Sequence, residues 1–181
     1  YYMLSTTDWM PYTWSVNNVA MAEVIHTALA YWEGDRARDA YTLFKSMILE
    51  SMYLGSSPGN FEQISFYDRF RGELYRDFAD PIGITSRALV EGLFGIRPDA
   101  LRGELEISPG FPGSWDHASI HLPDIDYSFR RSGNRDSYEI RPRFRVPLPL
   151  VLRLEARAMD AVVTVNGSRV AWQPDTEAVG H

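Results

Sequence analysis

The sequence predicts an α+β chain in which helical hairpins come first and a β-strand region follows. Two observations carry this. Up to Gly95 the apolar residues recur at helical spacing, and beyond Leu101 they alternate, so the period falls from 3.6 to 2 within a few residues. Around that change, from Gly72 to Pro112, a carboxylate-rich aromatic stretch passes through one apolar helix into text punctuated by Gly and Pro. The division predicts a helical region over 1–96 and a β-strand region over 97–181.

The first fifteen residues, YYMLSTTDWMPYTWS, have no period, contain Pro11, and interleave Asp8 with Trp9, Tyr12 and Trp14, which reads as a loop. Ser15 is a good N-cap for a first helix over Val16 to Glu33, with Val16, Val19, Ala20, Val24, Ala28 and Tyr31 on one stripe and Gly34 as its stop. Asp35 then caps a second helix, whose apolar side carries Ala40, Leu43, Phe44, Met47, Ile48 and Met52 and which ends at Gly55. The short Gly34-Asp35 link makes the pair an antiparallel hairpin. Ser56 to Asn60 is a turn, and Phe61 to Ala79 mixes aromatics and charges without one period. Asp80-Pro81 opens a further helix over Ile84 to Phe94, closed by Gly95, and G-I-R-P-D is read as a helix stop and a turn.

Six segments then read as strands: GELEIS, HASIHL, IDYSFRR, DSYEIRPRF, PLVLRLEA and AVVTVNGSRVAW. Gly133-Asn134 and Asn166-Gly167 are hairpin turns, and the short strands with turns between them predict an antiparallel β-sandwich-like region.

Composition excludes several functions. With 181 residues, 45% hydrophobic and 23% charged, the chain is that of an ordinary globular protein. A net charge of −6 argues against nucleic acid as a partner, because phosphate binding needs a basic face. The absence of cysteine removes disulfides, thiolate metal sites and thiol nucleophiles. No run reaches the roughly 20 apolar residues of a membrane span. There is no phosphate loop, no nucleophile elbow and no dinucleotide fingerprint. His26, among apolar residues, reads as a hydrogen-bonded core histidine, and His117, His121 and His181 lack metal-ligand spacing. Aromatics make up 13% of the chain, and Tyr and Trp suit sugar rings as well as interiors.

The Trp-rich segment opening one helix, its outer partner, the acidic stretch before another helix, and G-I-R-P-D and I-x-P-G-F-P-x-x-W leading into strands together resemble the end of an (α/α)6-barrel glycoside hydrolase. The text is most similar to a bacterial domain-of-unknown-function family, number 4450, and more distantly to inverting α-L-fucosidases and α-L-rhamnosidases. The resemblance covers Ser5 to Phe129. It implies the terminal helical hairpins of a six-hairpin toroid followed by a β-sandwich, with the rest of the toroid N-terminal to Tyr1. It also implies secretion or a periplasmic location, although the chain has no signal peptide, and a carbohydrate substrate from plant or microbial glycans.

Glycosidic hydrolysis takes two carboxyl groups, an acid and a base or nucleophile. The resemblance makes Asp80 the first candidate on the base side, with Glu73 and Asp77 beside it. The D-G-N-F-G-type loop of the fucosidase-like families, which supplies an aspartate that orients the water-activating group, reads D-P-I-G-I-T here and keeps Asp80, Gly83 and Thr85 without the asparagine. Asp80 equally suits the helix start, where a carboxylate meets free amides. Asp8, Trp9, Tyr12, Trp14, Asn18 and Arg76 are the expected substrate contacts, against a reading in which the indoles form a hydrophobic lid and Arg76 pairs with Asp77. No cofactor is implied, though Glu73, Asp77 and Asp80 offer oxygen ligands for Ca²⁺. A non-catalytic carbohydrate-binding module and a sugar phosphorylase of the same barrel type are the alternatives.

Overall fold

The computed structural model describes residues 18–19, 21–54, 64–65, 79–158 and 160–175. They form an α+β structure in two compact units, the first comprising Tyr1–Arg97 with Gly110–Gly113, the second Pro98–Pro109 with Ser114–His181.

In the first unit, a two-residue strand β1 (Asn18–Val19) pairs antiparallel with β2 (Ile64–Ser65), Asn18 opposite Ser65. Helix α1 (Met21–Glu33) follows at once, so the stretch read as its first turn is partly extended instead. The stripe of α1 that is buried comprises Met21, Val24, Ile25, Ala28, Leu29 and Trp32, a spacing of three and four residues. His26 is on the exposed side, bonded through Nδ1 to the Ala22 carbonyl at 3.1 Å, and so is not a core histidine.

Helix α1 ends in a left-handed turn, but the residue that adopts it is Asp35, at φ 57°. The Arg36 amide donates to the Tyr31 carbonyl at 2.8 Å and the Asp35 amide to that of Trp32 at 3.3 Å, which is the Schellman pattern. Asp35 therefore closes α1 rather than capping the next helix. Helix α2 (Ala37–Ile48) starts from Arg36 with no side-chain cap, and Arg36 bonds Asp39 instead. Its buried residues Ala40, Leu43, Phe44 and Met47 pack on α1, where the Trp32 and Phe44 rings meet edge to face at 5.5 Å. The helix continues as a π segment, Leu49–Leu54.

Helix α3 (Ala79–Arg87) begins five residues before the expected Ile84 and runs into a second π segment, Ala88–Leu93. Pro81, Ile84, Ala88 and Gly92 make its buried stripe. Gly95 ends it at φ 66°. Helix α1 packs along both α3 and this π segment, and Trp32 in the last turn of α1 lies against Gly92 near the segment's end. The two helices consequently run side by side in the same direction, and α2 returns antiparallel to α1.

β3 (Ile96–Asp99) leads into the second unit. The sequence G-I-R-P-D was read as a turn there; Pro98 is accommodated because β3 is the edge of a three-stranded sheet, where a missing amide costs no ladder bond. The sheet order is β3, β4 (Glu104–Ile107), β8 (Leu150–Leu152), and β4 and β8 are parallel, a pairing at odds with an all-antiparallel region. Leu105 and Ile107 are buried on it.

A second sheet is an antiparallel meander of β5 (His117–Leu122), β6 (Ile125–Ser132) and β7 (Arg135–Pro142). Alternation in β6 buries Ile125, Tyr127 and Phe129, and register places Tyr127 opposite Ile140 and Phe129 opposite Tyr138. Burial pushes the Tyr138 hydroxyl up to about 12 and that of Tyr127 further in the same direction. Finally β9 (Val163–Val165) and β10 (Ser168–Val170) form a hairpin whose turn residues Asn166 and Gly167 stand at φ 50° and 82°, as a type I′ turn requires.

Candidate functional site

The first unit assembles its polar ends by helix direction. Because α1 and α3 run in parallel, their N-terminal ends open at one end of the pair. Asn18 lies on β1, three residues before Met21, and Asp80 lies in the first turn of α3. Both positions therefore lie on the N-terminal side of their helices.

Asp80 is exposed, and Pro81 directly after it is fully buried, so the proline anchors the helix start while the carboxylate stays in solvent. That position lies beside the free amides of the first turn and the positive end of the helix dipole. The start of the helix at Ala79 places Asp80 inside the first turn, where it does not act as the cap. Glu73, Asp77, Asp8, Trp9, Tyr12, Trp14 and Arg76 lie outside the described residues, as does the Ser15 cap.

One further hydroxyl on this helix stands apart. Thr27, Thr42, Ser46, Ser51 and Ser86 each donate to the carbonyl four residues earlier, which satisfies a helical hydroxyl locally. The buried Thr85 Oγ1 has no hydrogen-bond partner among the described residues.

Among the ion pairs of the second unit, two clusters on the meander were missed by sequence reading. At the β5–β6 turn, Asp126 accepts from both guanidinium amines of Arg143, and its Oδ1 lies 3.0 Å from His121 Nδ1. Arg143 also donates to the carbonyls of Leu122 and of Pro123, so one side chain ties the turn to the strand two places along the sheet. The Arg143 bond, and then that of His121, holds the Asp126 carboxyl down at about 2. At the other end of the meander, Arg131 and Asp136 form a two-point pair at 2.9 Å in both contacts, with Arg157 at 3.4 Å from the same carboxylate. The Pro123-Asp124 pair between HASIHL and IDYSFRR was the available turn signal for the first cluster. Cross-strand partners of the second follow only from register, which places Arg131 opposite Asp136.

Both clusters are internally satisfied, and neither presents a nucleophile beside a base. Among the described residues no group of three His, Cys, Asp or Glu side chains is placed to hold a metal ion, and no helix is long and apolar enough to cross a membrane. No family model matches the chain, and no match is found among curated proteins or solved structures.

Proposed function

We propose that this chain supplies part of the sugar-binding mouth of an inverting glycoside hydrolase of the (α/α)6-toroid type, with Asp80 on the base side of the reaction. In this reading α1 and α3 are neighbouring inner helices, α2 is the outer helix between them, and the β-strand region belongs to a following sandwich. The observation that carries it is the parallel course of α1 and α3. It supports a reading in which the segments that precede them in sequence, one with Asp8, Trp9 and Trp14 and the other with Glu73, Asp77 and Asp80, would share one mouth. Two carboxyl groups and an aromatic wall are what glycosidic hydrolysis and sugar stacking need.

The test compares the protein that carries this chain with its Asp80→Asn variant on a panel of aryl glycosides and plant and microbial oligosaccharides, with the product anomer followed by NMR. The expected result is inversion, with turnover reduced by about 10²-fold or more in the variant and glycan binding retained. Full turnover by Asp80→Asn would reduce Asp80 to a helix-end carboxylate. Binding without turnover in both proteins identifies a carbohydrate-binding module, and phosphate-dependent release of a sugar 1-phosphate identifies a phosphorylase.

A further inference from the structure

The three-stranded sheet of the second unit ends on one side at β8, and the outer edge of β8 is open among the described residues. Toward β4, the Pro149 carbonyl accepts from the Leu105 amide at 2.9 Å and the Arg153 amide donates to the Ile107 carbonyl at 3.0 Å, in the register that sets Leu105 beside Leu150 and Ile107 beside Leu152. Backbone groups alternate sides along a strand, so the amides and carbonyls of Leu150 and Leu152 point away from β4. Natural sheets commonly blunt such an edge with proline or charge. Here Pro147 and Pro149 share the parity of the β4-facing positions, so the amides they lack are not those of the open edge. By the same alternation Leu148, Leu150 and Leu152 share one face, and they are 38%, 42% and 39% exposed. That row carries no charge.

The charges that flank the strand complement one another. Arg145 and Glu155 lie five residues to either side of Leu150, both are exposed, and neither forms an ion pair among the described residues, Glu155 adding only a through-space attraction at Arg131. Two identical edges meet about a two-fold axis as antiparallel strands. With that axis at Leu150, Leu148 meets the second copy's Leu152, and Arg145 meets the second copy's Glu155 at both ends of the pairing. A shift of two residues, the least that keeps the same backbone groups facing the partner, puts Arg145 opposite Arg153 in one direction and opposite Arg157 in the other. Like charges directly opposite are destabilising, so charge selects one register. We propose that β8 pairs with β8 of a second copy of this chain, antiparallel about Leu150, joining two three-stranded sheets into one of six strands. The pairing is built from the second unit alone and does not depend on the glycan reading.

The test is analytical ultracentrifugation of the protein that carries this chain, as wild type, Leu150→Pro, Arg145→Glu, Glu155→Arg and the double exchange Arg145→Glu with Glu155→Arg. Wild type is expected to be dimeric at about 100 μM and to dissociate on dilution. Leu150→Pro removes an amide of the open edge while leaving the bonds to β4 in place, and should give a monomer. Each single charge reversal should weaken the dimer about tenfold, by turning two attractions into two repulsions, and the double exchange should restore it to within about twofold of wild type. Circular dichroism checks that each variant is folded; should Leu150→Pro fail that check, the charge exchange decides alone, because Arg145 and Glu155 are exposed. A wild type that stays monomeric at about 100 μM would overturn the proposal and mean that another segment covers the edge or that it stays open. A dimer unaltered by a folded Leu150→Pro, or one that the double exchange does not restore, would overturn it as well and place the contact elsewhere.

Discussion

Asp35 occupies a conformation that the chain could have given to its neighbour. Glycine adopts positive φ without the steric cost that a Cβ brings, yet here Gly34 sits at an ordinary φ and Asp35 at 57°. A Cβ added at Gly34 would meet the Ala30 carbonyl oxygen at 3.5 Å, an ordinary contact. The Asp35 side chain gives no capping bond to α2 in return. Asp35→Gly is therefore expected to stabilise the first unit by about 0.5–1 kcal/mol, seen as a rise in Tm of about 1–4 °C. Gly34→Ala should be tolerated at the same site. A fall in Tm for Asp35→Gly would mean that the carboxylate has a partner outweighing the strain. Residue-level reading of the sequence erred here by one position, because Gly-Asp carries both a stop and a cap signal and the backbone used neither as expected. It erred at His26 for a related reason: apolar neighbours in sequence do not fix which side of a helix a residue takes, and position 26 falls between the buried residues Ile25 and Ala28 on the outer side.

At the scale of elements, the helices were legible wherever a stripe continued for several turns, and α1, α2 and the Gly95 stop all follow from spacing. What periodicity does not encode is the fit between elements. Trp32 shows this: its Nε1 donates to the Gly110 carbonyl at 3.0 Å, and the Gly110 amide in turn donates to the Leu93 carbonyl at 3.1 Å. The indole lies against two glycines, Gly92 and Gly110. A Cβ on Gly92 would fall 2.3 Å from Trp32 Cε3, and one on Gly110 would fall 2.2 Å from its Cδ1. Such separations are inside van der Waals contact, and the indole is held by both its hydrogen bond and the Phe44 ring. The P-G-F-P text, which stood out only as part of a resemblance, thus has a physical task in this structure: it brings an unhindered backbone to the last turn of α1. Gly110→Ala and Gly92→Ala are each expected to destabilise by about 1–3 kcal/mol through overpacking. Measured as shifts in urea midpoint at constant m-value, the losses should be larger than for Gly83→Ala, where an added Cβ meets nothing within 4 Å. Equal effects at Gly83 and Gly110 would show that the tryptophan seat does not govern Gly110.

For the molecule as a whole, the α+β order and the meander were legible because helix stripes and strand alternation are local, and HASIHL is β5 residue for residue. The parallel pairing of β4 with β8 and the Arg143–Asp126 pair were not legible because each joins residues far apart in sequence, and the Arg131–Asp136 pair was not because it depends on the exact hairpin register. Those ion pairs set how the fold responds to acid. The Asp126 carboxyl titrates at about 2 in the folded protein, against about 3.9 for an unperturbed aspartate, because Arg143 and then His121 hold its ionised form. Asp136 is shifted in the same direction by Arg131. A carboxyl whose folded value is depressed adds stability that is complete above about pH 4 and disappears as pH falls toward 2, since the unfolded chain takes up its proton first. The urea midpoint should accordingly hold between pH 7 and pH 5 so far as these pairs govern it, and decline between pH 4 and pH 2. Asp126 is the more exposed of the two carboxylates, so its part of the decline should shrink in high salt, while that of the largely shielded Asp136 pair persists. In Asp126→Asn the starting midpoint should be lower and the acid-dependent decline shallower than in wild type. If the wild-type and Asp126→Asn midpoints run parallel from pH 5 to pH 2.5, the Arg143 clamp is held by the Leu122 and Pro123 carbonyls alone and the carboxylate is a bystander.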